Sequence, residues 1–186
     1  MSHFYRTMVS GLAPLLLMVQ LGSAGAQTVT PVTELDLNRY AGKWVEIARL
    51  PNKFQKDCVS NVTANYVKRS DGEIDVINRC KKANGAVEEA VGRARIPNLQ
   101  MTSKLKVRFA PQWLSWLPMV WADYWVVDLS TDYSLAAVGG PTHEYLWILA
   151  RSPEVAEPSY QALLQRLTAQ GFDTAKLVRT LQDSSK

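Results

Sequence analysis

From residue 43 onward the chain is a succession of short alternating runs, each stopped by turn chemistry before a helix could propagate. Eight are read, at 43–50, 60–69, 73–80, 86–96, 104–110, 122–129, 134–139 and 144–151. A period of two places successive side chains on opposite faces of a strand. The run 104–110 is the clearest, with Leu105, Val107 and Phe109 on one face against Lys104, Lys106 and Arg108 on the other. Ser70-Asp71-Gly72, Pro97-Asn98, Thr131-Asp132 and Gly139-Gly140-Pro141 supply the turns. The runs at 45–50 and 122–129 are apolar on both faces, so part of the outer surface needs a cover. The period then becomes helical. Val155, Tyr160, Leu163, Leu164 and Leu167 line one face of a helix predicted between Ser152-Pro153-Glu154 and Gly171. The pattern predicts an all-β fold, an eight-stranded up-and-down antiparallel β-barrel with a C-terminal α-helix packed outside. A last extended piece, Leu177-Val178-Arg179, is predicted to return to the sheet.

Alternation also names the interior. Trp44, Glu46 and Ala48 share a face on the first strand, and later strands add Val62-Ala64-Tyr66, Ile74-Val76-Asn78-Cys80, Ala90-Gly92-Ala94 and Ala136-Val138. The small residues among these leave room for one ligand; the competing reading fills the space with Trp147, Phe109 and Tyr124. Candidate ligand contacts are Glu46, Tyr66, Val76, Asn78, Leu105, Val107, Phe109, Tyr124, Val126, Val138, Tyr145 and Trp147. Glu46, an acid on an inward face, is read either as an anchor for a ligand headgroup or as a carboxylate bonded to tyrosine hydroxyls.

Residues 1–26 read as an export signal, with Arg6, an apolar Met8–Leu21 and small residues at Ala24-Gly25-Ala26, leaving 27–186 as one domain. The expected address is the periplasm or the medium. An exported chain with only Cys58 and Cys80 suggests one disulfide; two buried thiols are the alternative. The net charge of +4 is scattered over strands, which argues against a nucleic-acid footprint. Catalytic signatures and metal-ligand spacings are missing, and no cofactor is called for. Cys80, on an inward face, is the sole candidate nucleophile of a less favoured enzymatic reading. One segment stands apart. Residues 111–121 carry no charge and hold Trp113, Trp116 and Trp121 between prolines, at the end of the barrel opposite Trp44. They are read as a lid over the mouth or as a peripheral membrane contact.

Three regions carry a resemblance. Gly42-x-Trp44-x-Glu46-Ile47-Ala48-Arg49, the turn Thr131-Asp132-Tyr133, and Tyr145-Leu146-Trp147-Ile148-Leu149-x-Arg151 resemble, in this order, the signature regions of the lipocalins, most closely their bacterial branch. The similarity runs from about residue 30 to 180. It implies a barrel whose floor is closed by Gly42, Trp44, Thr131, Asp132, Tyr133 and Arg151. It also implies reversible binding of a small hydrophobic ligand, a fatty acid or a lysophospholipid, in the cell envelope. Bacterial relatives often carry a lipid-anchored cysteine near the end of the export segment; Leu21-Gly22-Ser23-Ala24 has none, so a soluble exported protein is expected.

Overall fold

The structure, a computed structural model, describes residues 27–183. The export signal and its cleavage point lie outside the described residues. A single helical turn, α1 (Leu37–Tyr40), is capped by the Asp36 side chain and leads into β1 (Gly42–Arg49). There follow β2 (Cys58–Lys68), β3 (Ile74–Lys82), β4 (Val87–Arg95), β5 (Lys104–Arg108), β6 (Ala122–Leu129), β7 (Leu135–Gly139) and β8 (Leu146–Ala150). Helix α2 (Glu157–Ala169) and the two-residue β9 (Val178–Arg179) end the fold. The helix starts later than the period alone implies, because Pro158 is tolerated only in a first turn.

Each strand pairs antiparallel with its sequence neighbour, and β1 closes the ring by pairing with both β8 and β2. The result is an eight-stranded barrel with β9 added outside the ring, against β1. The closing seam is uneven. β1 meets β2 only through Gly42–Val45, and β9 pairs with β1 at Ala48 and Arg49. Leu181 bridges in parallel to Ser60, and the Gln182 amide donates to Glu46 O at 2.8 Å and Val62 O at 3.1 Å. The C-terminal segment thus occupies the wedge where β1 and β2 part.

Two apolar clusters form, one on each side of the wall. The outer one packs Tyr160, Leu163 and Leu167 of α2 and Phe172 onto Val45, Ile47, Ala48, Val127, Ala137 and Ile148. It covers the strands that were apolar on both faces. The edge of this contact is pinned by Arg166, whose Nε and Nη2 donate to Asp128 at 2.7 and 2.9 Å. The inner cluster holds Trp44, Ala64, Tyr66, Val76, Ala94, Leu105, Val126, Ala136, Val138 and Leu149.

One inward assignment is corrected. The β1–β8 register slips between Glu46 and Ala48, so that Glu46 faces Leu149, Ala48 faces Ile148 and Arg49 faces Trp147. The extra residue turns Ala48 outward under α2 and brings Arg49 to the inside.

Candidate functional site

The floor is built from the three signature regions. Gly42 has φ +92°, a left-handed conformation natural to glycine, and a Cβ there would lie 3.5 Å from the Arg151 guanidinium. The bend sends Trp44 under the sheet, fully buried, with its indole N–H donating to Tyr40 O at 2.8 Å. Arg151 lies over that indole, 3.9 Å from its centroid. The same guanidinium donates to the carbonyls of Lys43, Arg39, Tyr40, Ala41 and Tyr133 at 2.6–3.3 Å. Asp132 accepts from the Ser130 hydroxyl and from Ser134, which holds its carboxyl down at about 2. Tyr133 accepts from Asp36 N at 3.0 Å, and Arg39 lies over its ring at 3.9 Å. Gly42, Trp44, Thr131, Asp132, Tyr133 and Arg151 therefore meet at one end of the barrel; Thr131 enters through its carbonyl, which accepts from Arg39.

Just above the floor, the hydroxyls of Tyr40 and Tyr66 each lie 2.7 Å from that of Tyr124. Burial pushes all three phenols up, Tyr66 to about 12, so this network stays protonated and neutral. The cavity they line with Val76, Ala94 and Leu105 is about 10 Å³, roughly the room one water needs. The lower interior is packed.

A second polar group sits on the wall where the β1 bulge turns Arg49 inward. Arg49 Nη1 is 3.1 Å from Glu46 Oε1 and also reaches the Thr180 hydroxyl, which itself donates to Glu46. Gln55 Nε2 donates to Glu46 Oε2 at 2.7 Å, and Gln55 Oε1 accepts the Trp147 indole N–H at 2.7 Å. Burial raises the Glu46 carboxyl; Thr180, Gln55 and Arg49 pull it back. Glu46 is thus part of a satisfied network, whose members are Arg49, Gln55 and Thr180 and not the tyrosine hydroxyls of the second of its two readings. Alternation without the bulge hides Arg49. Gln55 had a readable cue, since Asn52 caps the turn that folds it back. Thr180 had none.

The upper interior is open. Phe109 lies against Gly92, on the inner face, yet is 45% exposed. A Cβ on Gly92 would come within 2.7 Å of that ring and of Arg108 O, so the glycine is what lets Phe109 lie flat. Ala90, opposite Asn78, is exposed, and Asn78, Val107, Tyr145 and Trp147 are half-buried. Asn78 Oδ1 is buried without a partner. Above Gly92 the β4 edge is not paired with β5, whose ladder covers only Arg93–Arg95. Of the candidate contacts, Val76, Leu105, Val126, Val138, Tyr66 and Tyr124 form the closed end. Asn78, Val107, Phe109, Tyr145 and Trp147 line the open one, with Glu46 on the wall between. An outer groove of about 460 Å³ lies beside Ile47, Glu154 and Leu181, on the C-terminal segment.

Cys58 and Cys80 are joined, with Cα atoms 5.6 Å apart. Their sulfurs are bonded to each other, so Cys80 presents no thiolate to the interior. The tryptophan segment divides into a buried base and exposed indoles. Trp121 is buried, with the Arg95 and Arg108 guanidiniums 4.0 and 5.2 Å from its ring centroid and its N–H on Ser115 O. That corrects two readings: Trp121 is not at the entrance, and Arg108 is not a solvated strand residue. Trp113 and Trp116 stand out in solvent. Among the described residues no cluster of three metal-ligating side chains occurs, and no helix is long and apolar enough to cross a membrane.

A closed eight-stranded cup, with an arginine over a tryptophan at the base and apolar walls reached from the other end, defines a class of barrels that hold small hydrophobic molecules. Residues 35–182 match the family model described as a lipocalin-like domain, and the chain belongs to the lipocalin family. It is 37% identical to the outer membrane lipoprotein Blc of Vibrio cholerae over 158 residues, 84% of this chain and 88% of that one. Temperature-induced lipocalin-1 of Arabidopsis thaliana is 35% identical over 157 residues, covering 83% of each chain. Apolipoprotein D of Bos taurus is 35% identical over 161 residues, covering 82% of this chain and 80% of its own. Among solved structures, insecticyanin from the tobacco hornworm Manduca sexta superposes with a TM-score of 0.64 at 24% identity over 85% of each chain. Lobster apocrustacyanin A1 gives 0.60 at 18%, over 87% of this chain and 94% of that one. Both likenesses speak for the fold.

Proposed function

We propose that the protein binds one amphiphile, a fatty acid or a lysophospholipid, and carries or stores it in the cell envelope. The observation that supports this best is the division of the interior: an inward-facing Phe109 that is 45% exposed, over a packed floor. Solvent in contact with Phe109, Val107 and Ala90 is what an acyl chain would displace. Burying about twelve methylenes at ~0.8 kcal/mol each is a gross term near 10 kcal/mol, from which ordering costs are subtracted, so micromolar affinity follows. The headgroup has a partner near the mouth in Arg49, which uses only Nη1 toward described residues. The envelope is supported by the export-like segment and by relatives named as outer membrane lipoproteins.

The test is titration with a fluorescent fatty acid and a fluorescent lysophospholipid, alongside Ala90→Trp. A tryptophan at this exposed inward position fills the cup without disturbing packed side chains. Saturable one-to-one binding by the parent, lost in Ala90→Trp at unchanged melting temperature, is the expected result. Absence of saturable binding by the parent sinks the proposal.

A further inference from the structure

We infer that the mouth of the barrel is a docking face for a lipid bilayer, with Trp113 and Trp116 as its anchors. This stands apart from the cargo, since it concerns the rim and not the cup.

The uncharged segment between β5 and β6 is a built protrusion. Two short 3-10 turns, Gln112–Leu114 and Pro118–Val120, are held by bonds from Leu114 N to Pro111 O, Ser115 N to Gln112 O and Trp121 N to Pro118 O at 3.0–3.1 Å. Trp121 locks the base against the Arg95 and Arg108 guanidiniums, and Arg108 ties it further through Ala110 O and Gln112 Oε1. On that frame Trp113 is 73% exposed, Trp116 75% and Met119 85%. Side chains of this kind are normally withdrawn from water, and the same chain buries Trp44 and Trp121. Here the turns hold them out.

The apolar exposure also rings the opening. Phe54 on the β1–β2 connection and Val87 at the β3–β4 turn are exposed as well, and strand order puts these connections at the same end as the tryptophans. β1 and β5 lie on opposite sides of an eight-strand ring, so Phe54 faces the tryptophan protrusion across the mouth. A planar, deformable surface touches both sides at once; a compact protein partner seated on one side does not. Indoles favour the headgroup–hydrocarbon boundary. Lys53 and Lys56, beside Phe54, pair with no carboxylate among the described residues, which suits anionic headgroups. The rim chemistry is interfacial.

The experiment is flotation of the chain as purified from the envelope, its N-terminus fixed by mass spectrometry, with protein-free vesicles. One set is phosphatidylethanolamine with phosphatidylglycerol, the other phosphatidylcholine. Expected are flotation of the parent, stronger on the anionic set, and a partition coefficient about tenfold or more lower in Trp113→Ala/Trp116→Ala, as two indoles no longer leave water. Solution binding of the fluorescent fatty acid should be unchanged in that variant. Independently of how the variant folds, brominated lipid should quench part of the parent's tryptophan emission. A parent that stays at the bottom of the gradient, or a folded double variant that floats equally, overturns the inference. So does loss of fatty-acid binding by the double variant in vesicle-free buffer, which would make the protrusion part of the cup and leave the carrier reading intact.

Discussion

Glu46 and Asp132 are displaced in opposite directions by their surroundings and impose opposite pH slopes on stability. Burial raises Glu46, so between the ordinary carboxylate value and the raised one the folded chain holds more proton than the unfolded chain. Its stabilising contribution is present below that window and is lost as pH rises through it. Asp132 is held at about 2 by Ser130 and Ser134, so its contribution is present above the ordinary carboxylate range and is lost as pH falls toward that value. Arg49→Met removes one of the groups that pull Glu46 back. The pair is buried, and the substitution should cost ~3 kcal/mol at neutral pH, with the loss shrinking in acid as Glu46 takes up a proton. Adding Glu46→Gln should restore much of it. Urea denaturation of parent, single and double variants across pH reads both effects; a pH-independent deficit would mean that Arg49 acts by packing alone. Asp132→Asn should flatten the acid limb by lowering stability in the neutral region, where the carboxylate's contribution is present, while the two chains converge in strong acid.

At the scale of a strand, the bulges decide what could be read in advance. Regular alternation at 104–108 identifies Leu105 as inward from sequence alone, and the same rule places Tyr66, Val76 and Val138. It fails in β1, where an inserted residue exchanges Ala48 for Arg49, and near Asp128, where the β6–β7 register also slips and the acid turns outward to Arg166. No local propensity announces either slip. β2 is the third case. A regular hairpin from Asp71-Gly72 puts Cys80 opposite Thr63, too far along for Cys58. The pairing instead slips twice, between Cys58 and Ser60 and between Ser60 and Thr63, with Asn61 at φ +55°. Those irregularities bring Cys58 opposite Lys82, where the register at Thr63 continued unbroken would put it opposite Asn84, and so let the sulfurs meet. The disulfide closes a separation of 22 residues, so Cys58→Ser/Cys80→Ser should lose about 3 kcal/mol in the chain-entropy model. Guanidinium melts of variant and parent would show it, with fatty-acid affinity little changed because the bond lies at the rim of β2 and β3.

Considered whole, the wall is interrupted at two places, the upper β4–β5 gap and the upper β1–β2 seam, and only the second is filled by another segment. The upper β4 edge is unpaired with β5 and left open, whereas the upper half of the β1–β2 seam is held by the last described residues: Thr180 N on Ile47 O, Asn61 N on Leu181 O, and Gln182 across to Glu46 and Val62. Thr180 also donates to the Glu46 carboxylate, so the same segment that fills the wedge satisfies the polar group inside the barrel. Ending the chain at Arg179 removes these bonds and leaves β8, α2 and the outer apolar cluster in place. The seam should then open as a local unit. Amide exchange should quicken at Glu46–Leu50 and Ser60–Val62 while β6 and β7 keep their protection. The Glu46 carboxyl should move less far from its ordinary value as water reaches it, because burial is the larger cause of its shift. If exchange instead quickens evenly round the barrel, the C-terminal segment is an integral stave of the wall and not a separable seal. If it quickens only at the seam, the wall beside Glu46 is the place where this barrel opens first.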